Sequence, residues 1–179
     1  MIVAIHQPNY FPWLGYFRKM AEADIFIFLD NVQFSKGSYT NRVRIRAESG
    51  RRWLTVPVKV TLGQSINDVT AAKENWVDGH LETLKHTYKE CAHFERVWPD
   101  IEGAYGTLKT DNLSEINLHL IEQTARCLGL TVQTHLASSL NAAGKSDDLL
   151  VSLLEEVSPG CVYLSGEGGG KYQSDEKFR

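Results

Sequence analysis

No stretch of this sequence approaches the roughly 18 consecutive apolar residues that a membrane-crossing helix requires, so its hydrophobic segments are expected inside a fold. Cysteine is sparse. Cys91, Cys127 and Cys161 lie far apart and are odd in number, which argues against a disulfide framework or a cysteine-based zinc site. All three sit among apolar neighbours and are expected to be reduced and buried. Charge of one sign is also missing. Nineteen Lys and Arg stand against 22 Asp and Glu, a net charge of −3, which excludes the basic excess of a nucleic-acid footprint. The amino terminus has no basic leader and no cleavage site, so a signal or transit peptide is not expected and the expected compartment is cytoplasmic. At 179 residues, the expectation is a single α/β domain spanning 1–179, burying roughly 70% of its extended surface.

Several familiar motifs are absent on inspection. His80, His86 and His93 lack the H-E-x-x-H spacing of a metal site, and no metal is expected; the residues indicate no particular cofactor. Gly144-Lys145-Ser146 resembles the end of a phosphate-binding loop, but Ser139 stands where its first glycine is required. Gly166 to Gly170 fails the dinucleotide fingerprint because Lys171 occupies the last glycine position. No Ser–His–Asp or Cys–His nucleophile pair follows from spacing.

What is present is an α/β pattern. Ile2 to Ile5 is a short unbroken apolar run, as in a strand covered on both faces. Pro12 is placed to open a helix with Trp13, Leu14, Phe17, Met20 and Ala21 on its inner face and Asp24 closing it. Ile25 to Leu29 is a second apolar strand. Strand, helix and strand within thirty residues predict a right-handed parallel unit. His6-Gln7 and Asp30-Asn31 then lie together at the carboxyl edge of the sheet, where open α/β folds bind ligands. Thr40 to Ala47 alternates, with Arg42, Arg44 and Arg46 on one face; Glu48-Ser49-Gly50 turns the chain and Arg52 to Val58 pairs back. Residues 60–78 read as irregular. A helical insertion is expected over about 79–128. Its stripes are Leu81, Leu84, Tyr88 and Cys91, then Ile101, Tyr105 and Leu108. The third is Leu113, Ile116, Leu120, Ile121 and Leu128, with a capping box opened by Asn112 and a stop at Gly129. Thr131 to Leu136, a helix capped by Ser146, and Cys161 to Leu164 resume the α/β pattern. The predicted class is a Rossmann-like, mainly parallel sheet with an antiparallel hairpin added and a helical insertion.

The segment from His6 to Trp13 is the richest in chemistry. Two prolines fix its backbone, aromatics including Tyr10 and Trp13 can wall a pocket, and His6, Gln7 and Asn9 offer polar groups. A histidine there can act as a general base, its ordinary pKa being about 6.5. Asp30 can orient His6 or hold a sugar hydroxyl. Lys36 beside Gly37 can approach a phosphate, and the arginine row can grip phosphate or carboxylate bidentately. Ser165-Gly166 and the glycines after them can form an anion nest. The plain alternatives are a rigid aromatic loop, a polar hairpin lead-in and a solvated arginine face.

The runs His6-Gln7-Pro8-Asn9-Tyr10-Phe11-Pro12-Trp13-Leu14-Gly15-Tyr16, Asp30 to Arg42, and Tyr163-Leu164-Ser165-Gly166 together resemble the WbqC-like protein family. That resemblance covers essentially the whole chain and implies a part in bacterial surface-polysaccharide biosynthesis of the O-antigen type. The activity it implies is transfer of an acyl or aminoacyl group onto a nucleotide-linked sugar. His6 would be the base and Asp30 its catalytic companion. Gln7, Asn9, Tyr10, Trp13, Asn31, Asn41, Ser165 and Gly166 would contact substrate, and Lys36, Arg42 and Arg44 its phosphates. The implied partner is a small anionic molecule, with no nucleic acid and no membrane span; a second copy of the chain stays open. Family members generally continue past the Ser-Gly strand, so residues beyond Arg179 are expected. A non-catalytic nucleotide-sugar-binding module is the second reading. A nucleotidylyltransferase is the third, from a distant similarity to pantothenate synthetases, whose His-x-Gly-His motif falls here on Trp13, Leu14, Gly15 and Tyr16 and so lacks both histidines.

Overall fold

A computed structural model describes residues 1–47, 50–72, 75–166 and 175–178. In chain order the first elements are β1 (Ile2–His6), α1 (Leu14–Ala21), β2 (Ile25–Phe28), β3 (Arg42–Ala47), β4 (Gly50–Thr55), β5 (Val58–Lys59) and β6 (Thr70–Ala71). They are followed by α2 (Trp76–Tyr88), α3 (Phe94–Gly106), α4 (Leu113–Cys127), β7 (Gln133–Leu136), α5 (Asp147–Val157) and β8 (Val162–Leu164). The chain forms two compact units. One holds 1–7, 13–32 and 130–179, and the other holds 8–12 and 33–129.

The first unit is a four-stranded sheet in the order β7-β2-β1-β8, every pairing parallel. The two central strands, β1 and β2, read as nearly unbroken apolar runs because both faces are covered, while the edge strand β7 is polar. Val3, Ile5, Ile25 and Ile27 pack on one face with Leu149, Leu153 and Leu154 of α5. On the other face Phe26 lies 5.4 Å from the ring of Tyr16 and 5.2 Å from that of Phe28, so α1 covers that side. The chain steps from β1 to β2 to β7 in one direction, then returns through α5 to place β8 beside β1. That reversal lies at the carboxyl ends of β1 and β8, the position at which such sheets leave a crevice. The predicted mixed α/β class with an added hairpin is what the chain adopts.

Several local expectations are corrected. α1 begins at Leu14 and buries Tyr16, Phe17 and Met20; Trp13, Leu14 and Ala21 are exposed because the start is shifted and the inner face rotates with it. Asp24 does not close the helix. Its carboxylate accepts the Ile2 N–H at 2.7 Å, securing the start of β1. Ser146 precedes α5 with φ of 53° and makes no side-chain capping bond.

The second unit pairs β3 with β4 antiparallel, Arg42 opposite Thr55 through Ala47 opposite Gly50. The expected turn at Glu48 and Ser49 lies outside the described residues. The stretch read as irregular contains β6, which pairs with β5, and the first turn of α2. A strand of two residues is too short to show alternation. Three helices follow, close to the predicted insertion. Asn112 caps α4 by accepting the Glu115 N–H at 3.1 Å, while Glu115 reaches back to Thr110 in place of the Asn112 N–H. Leu128 lies past the end of α4 and is exposed. Cys91 and Cys127 are exposed and Cys161 is half-buried, all as free thiols, because Cys91 follows the end of α2 and Cys127 ends α4.

A hydrogen-bonded chain runs through this unit. His80 Nε2–H donates to the Thr55 carbonyl at 3.1 Å, so its Nδ1 accepts from the Tyr10 hydroxyl at 2.7 Å. Tyr10 in turn accepts from Tyr105. Burial lowers the His80 pKa to about 4, which keeps the imidazole neutral.

Two outcomes are expected. Leu153→Ala, at a position with no exposure, should destabilise the chain by about 2–5 kcal/mol through lost contacts and the cavity left, measured by urea unfolding. Between pH 6.5 and about 4 an unfolded His80 binds a proton that the folded one refuses. The His80 contribution to stability is therefore full above pH 6.5 and falls as pH drops toward 4, by up to about 3 kcal/mol, with His6 adding a loss of its own in the same window. A urea midpoint flat across that window would show His80 charged in the fold.

Candidate functional site

The carboxyl edge of the parallel sheet is organised around His6, the last residue of β1. Its Nδ1 is 3.1 Å from the Gln7 carbonyl. A carbonyl can only accept, so Nδ1 carries the hydrogen and Nε2 carries the lone pair. The ring meets Tyr16 edge-on at 4.7 Å and Trp13 at 6.0 Å. Tyr16 donates its hydroxyl to the same Gln7 carbonyl at 3.2 Å, and Lys19 Nζ donates to the Ile5 carbonyl at 2.8 Å. Burial first, and then the nearby Lys19 charge, lower the His6 pKa to about 4. Burial likewise lowers Lys19 to about 8. The imidazole is therefore neutral at physiological pH, and its ordinary pKa near 6.5 does not apply.

A side chain at Gly15 would displace the Trp13 indole. A Cβ there would lie 2.8 Å from Trp13 Nε1, because the indole folds across it. On the β8 side, the pairing of Ala4 with Leu164 leaves Ser165 and Gly166 alongside the end of β1. Glu167 to Lys171, the rest of the expected nest, lie outside the described residues. On the β2 side Asp30 is 2% exposed. Its two oxygens accept from the Ser138 N–H at 2.9 Å and the Ser138 hydroxyl at 2.6 Å. Its carboxylate thus ties the end of β2 to the turn after β7, and His6 is oriented by Gln7. Asn31, next to it, keeps a buried Oδ1 without a partner among the described residues.

The other candidate residues belong to the second unit. Tyr10, expected on a binding surface, is fully buried with its hydroxyl held by His80 and Tyr105. The next residue, Phe11, adopts φ of 45° and stacks on Tyr105 at 6.2 Å. Asn9 is also buried. Asn41 donates to the Val56 carbonyl at 3.1 Å. Lys36 is exposed. Arg42 donates to the Gly37 carbonyl and lies 4.0 Å over Trp53, with Arg44 4.8 Å from the same ring. Stacking on an indole holds a guanidinium flat and explains why this part of the row is ordered.

Sequence reasoning missed Tyr16 and Lys19 in the first unit, and Trp53 and Asn117 in the second. Asn117 is fully buried and donates both amide hydrogens, to Pro8 O at 2.8 Å and Thr40 O at 2.7 Å. The available signal was a lone amide within the apolar stripe Leu113, Ile116, Leu120 and Ile121. For Lys19 it was a charge set between Phe17 and Met20 on an inward face. Among the described residues no group of three or more His, Cys, Asp or Glu could hold a metal ion, and no helix is long and apolar enough to cross a membrane.

The uncharacterized protein Rv1507c of Mycobacterium tuberculosis is 34% identical over 181 residues, covering 98% of this chain and 77% of that protein. The WbqC-like protein family matches residues 7–179, which include the loop after β1, the Asp30 segment and the β8 end. The chain belongs to the WbqC-like protein family.

Proposed function

We propose that this protein is a transferase of bacterial surface-polysaccharide biosynthesis of the O-antigen type, passing an acyl or aminoacyl group to an amine of a nucleotide-linked sugar. The observation that carries the reading is the state of His6. It is a neutral imidazole with Nδ1–H fixed on the Gln7 carbonyl and Nε2 left as acceptor, at the point where the strand order of a parallel sheet reverses. In the proposed step the sugar nitrogen attacks the carbonyl carbon of an activated acyl donor. A carbon–nitrogen bond forms, the bond to the leaving group breaks, and the nitrogen's proton passes to Nε2. His6 then returns that proton to the departing group. Lys19 and Ser165 are suited to hold the donor's polar atoms.

One observation favours a second reading, a nucleotide-sugar-binding module without turnover. A histidine with a pKa of about 4 is a weak base, and the same Nε2 lone pair can accept a sugar hydroxyl.

His6→Asn distinguishes the two. The side chain stands at a strand end, so the melting temperature should change little. A general base lost from the reaction should lower turnover by roughly 10²–10⁴-fold with ligand affinity largely kept. The wild-type kcat/KM, which reports the free enzyme, should show its ascending limb near pH 4, because that is where the unliganded imidazole takes up its proton. Affinity lost with no turnover detectable in the parent chain would establish the binding module. A rate unchanged in the variant would remove His6 from the mechanism.

A further inference from the structure

The β3–β4 hairpin carries a second feature that the His6 chemistry does not use. Its arginines divide into two groups. Arg42 and Arg44 are committed to Trp53. Arg46 and Arg51 stand directly opposite one another across the two strands. Like charges in that position are destabilising, yet among the described residues no carboxylate lies within ion-pair distance of either. Arg52 is held from the side, donating to Thr83 Oγ1 of α2 at 2.8 Å. These three arginines and His86 line a cavity of about 890 Å³ between the hairpin and α2, where Glu90 is the one carboxylate among the described lining residues. A neighbouring cavity of about 550 Å³ shares Arg52 and His86 and adds Lys85 and Lys89.

We propose that this groove is a binding site for a diphosphate group, as found in inorganic pyrophosphate and in nucleoside diphosphates. The forked, permanently charged guanidinium matches phosphate oxygens bidentately. Two such forks on one face are a repulsive pair until a dianion or trianion sits between them, while Arg52, on the other face of β4 and tethered by Thr83, lines the side of the same groove. The larger cavity lies within the usual range for small-molecule sites, with room for the nucleoside as well as the phosphates. This assignment lies within one compact unit and does not depend on the role of His6.

The test is calorimetric titration of the full chain at low salt with pyrophosphate, and separately with ADP and UDP. Saturable binding is expected, weakening as salt is raised. Arg46→Ala with Arg51→Ala should cost between about tenfold and a hundredfold in affinity, and Arg52→Ala a comparable factor. Arg18→Ala, an exposed arginine on α1, should change nothing. The double variant's ligand-free melting temperature should hold or rise, since a repulsive pair has been removed. Tighter binding of the nucleoside diphosphates than of pyrophosphate would identify a nucleotide as the occupant, and equal affinity would identify the inorganic anion. Absence of saturable binding for all three probes, or equal affinity in wild type and double variant, would overturn the proposal.

Discussion

β1 is hydrogen-bonded along both edges, to β2 and to β8, and the chemistry of the first unit depends on that double pairing. A strand flanked on both sides and covered on both faces admits no polar side chain until it leaves the sheet. Val3 and Ala4 are fully buried and Ile5 is 4% exposed. His6 is the first residue released from that demand, and it is released where the neighbouring strands also end. α1 then serves two purposes. Its Tyr16 and Phe17 cover the sheet, while Tyr16 and Lys19 also donate to the carbonyls of Gln7 and Ile5. The Gln7 carbonyl accepts from both His6 and Tyr16, so the helix that closes the core also braces the histidine's tautomer.

The second unit applies the same logic with an amide. Asn117 has no exposure, and its two hydrogens join the backbone of the loop at Pro8 to that of the segment at Thr40. Tyr10 N–H donating to the Tyr39 carbonyl at 2.9 Å adds a third link between the same two stretches. Buried carbonyls left without a donor each cost about 1–3 kcal/mol, so the amide is bound to this arrangement more tightly than an apolar residue of its size would be. The two segments most distinctive in the sequence are joined in space by a residue more than seventy positions away from either.

Most of the fold was legible because burial on both faces writes itself as unbroken apolar runs. Parallel pairing of β1 and β2 followed from the short helix between them, and with it the placement of His6 and Asp30 at one edge. Loops carry no such periodicity. Tyr10 is buried and Trp13 exposed, with a positive φ at Phe11 between them that no spacing reveals. The arginine alternation in β3 was visible, but not its division. Trp53 reaches Arg42 and Arg44 only in the register that sets Arg44 opposite Trp53 and Arg46 opposite Arg51. Asp30 stands at the predicted edge of the sheet, but its partner Ser138 is distant in sequence and belongs to a turn that composition does not mark.

His6 and Lys19 bear on each other in a way that neither shows alone. Both are depressed chiefly by desolvation, and the lysine's charge further disfavours an imidazolium beside it. The protein's own groups at this edge therefore keep His6 neutral and weakly basic. An anionic ligand arriving within a few ångströms of Lys19 reverses the dominant Coulomb contribution, because an opposite charge stabilises the protonated forms of both groups. On the proposed reading, a phosphate- or carboxylate-bearing substrate would therefore raise the basicity of His6 above that of the free site, while burial, the larger cause of its depression, persists. A histidine tuned in this way distinguishes charged from uncharged ligands by reactivity as well as by affinity.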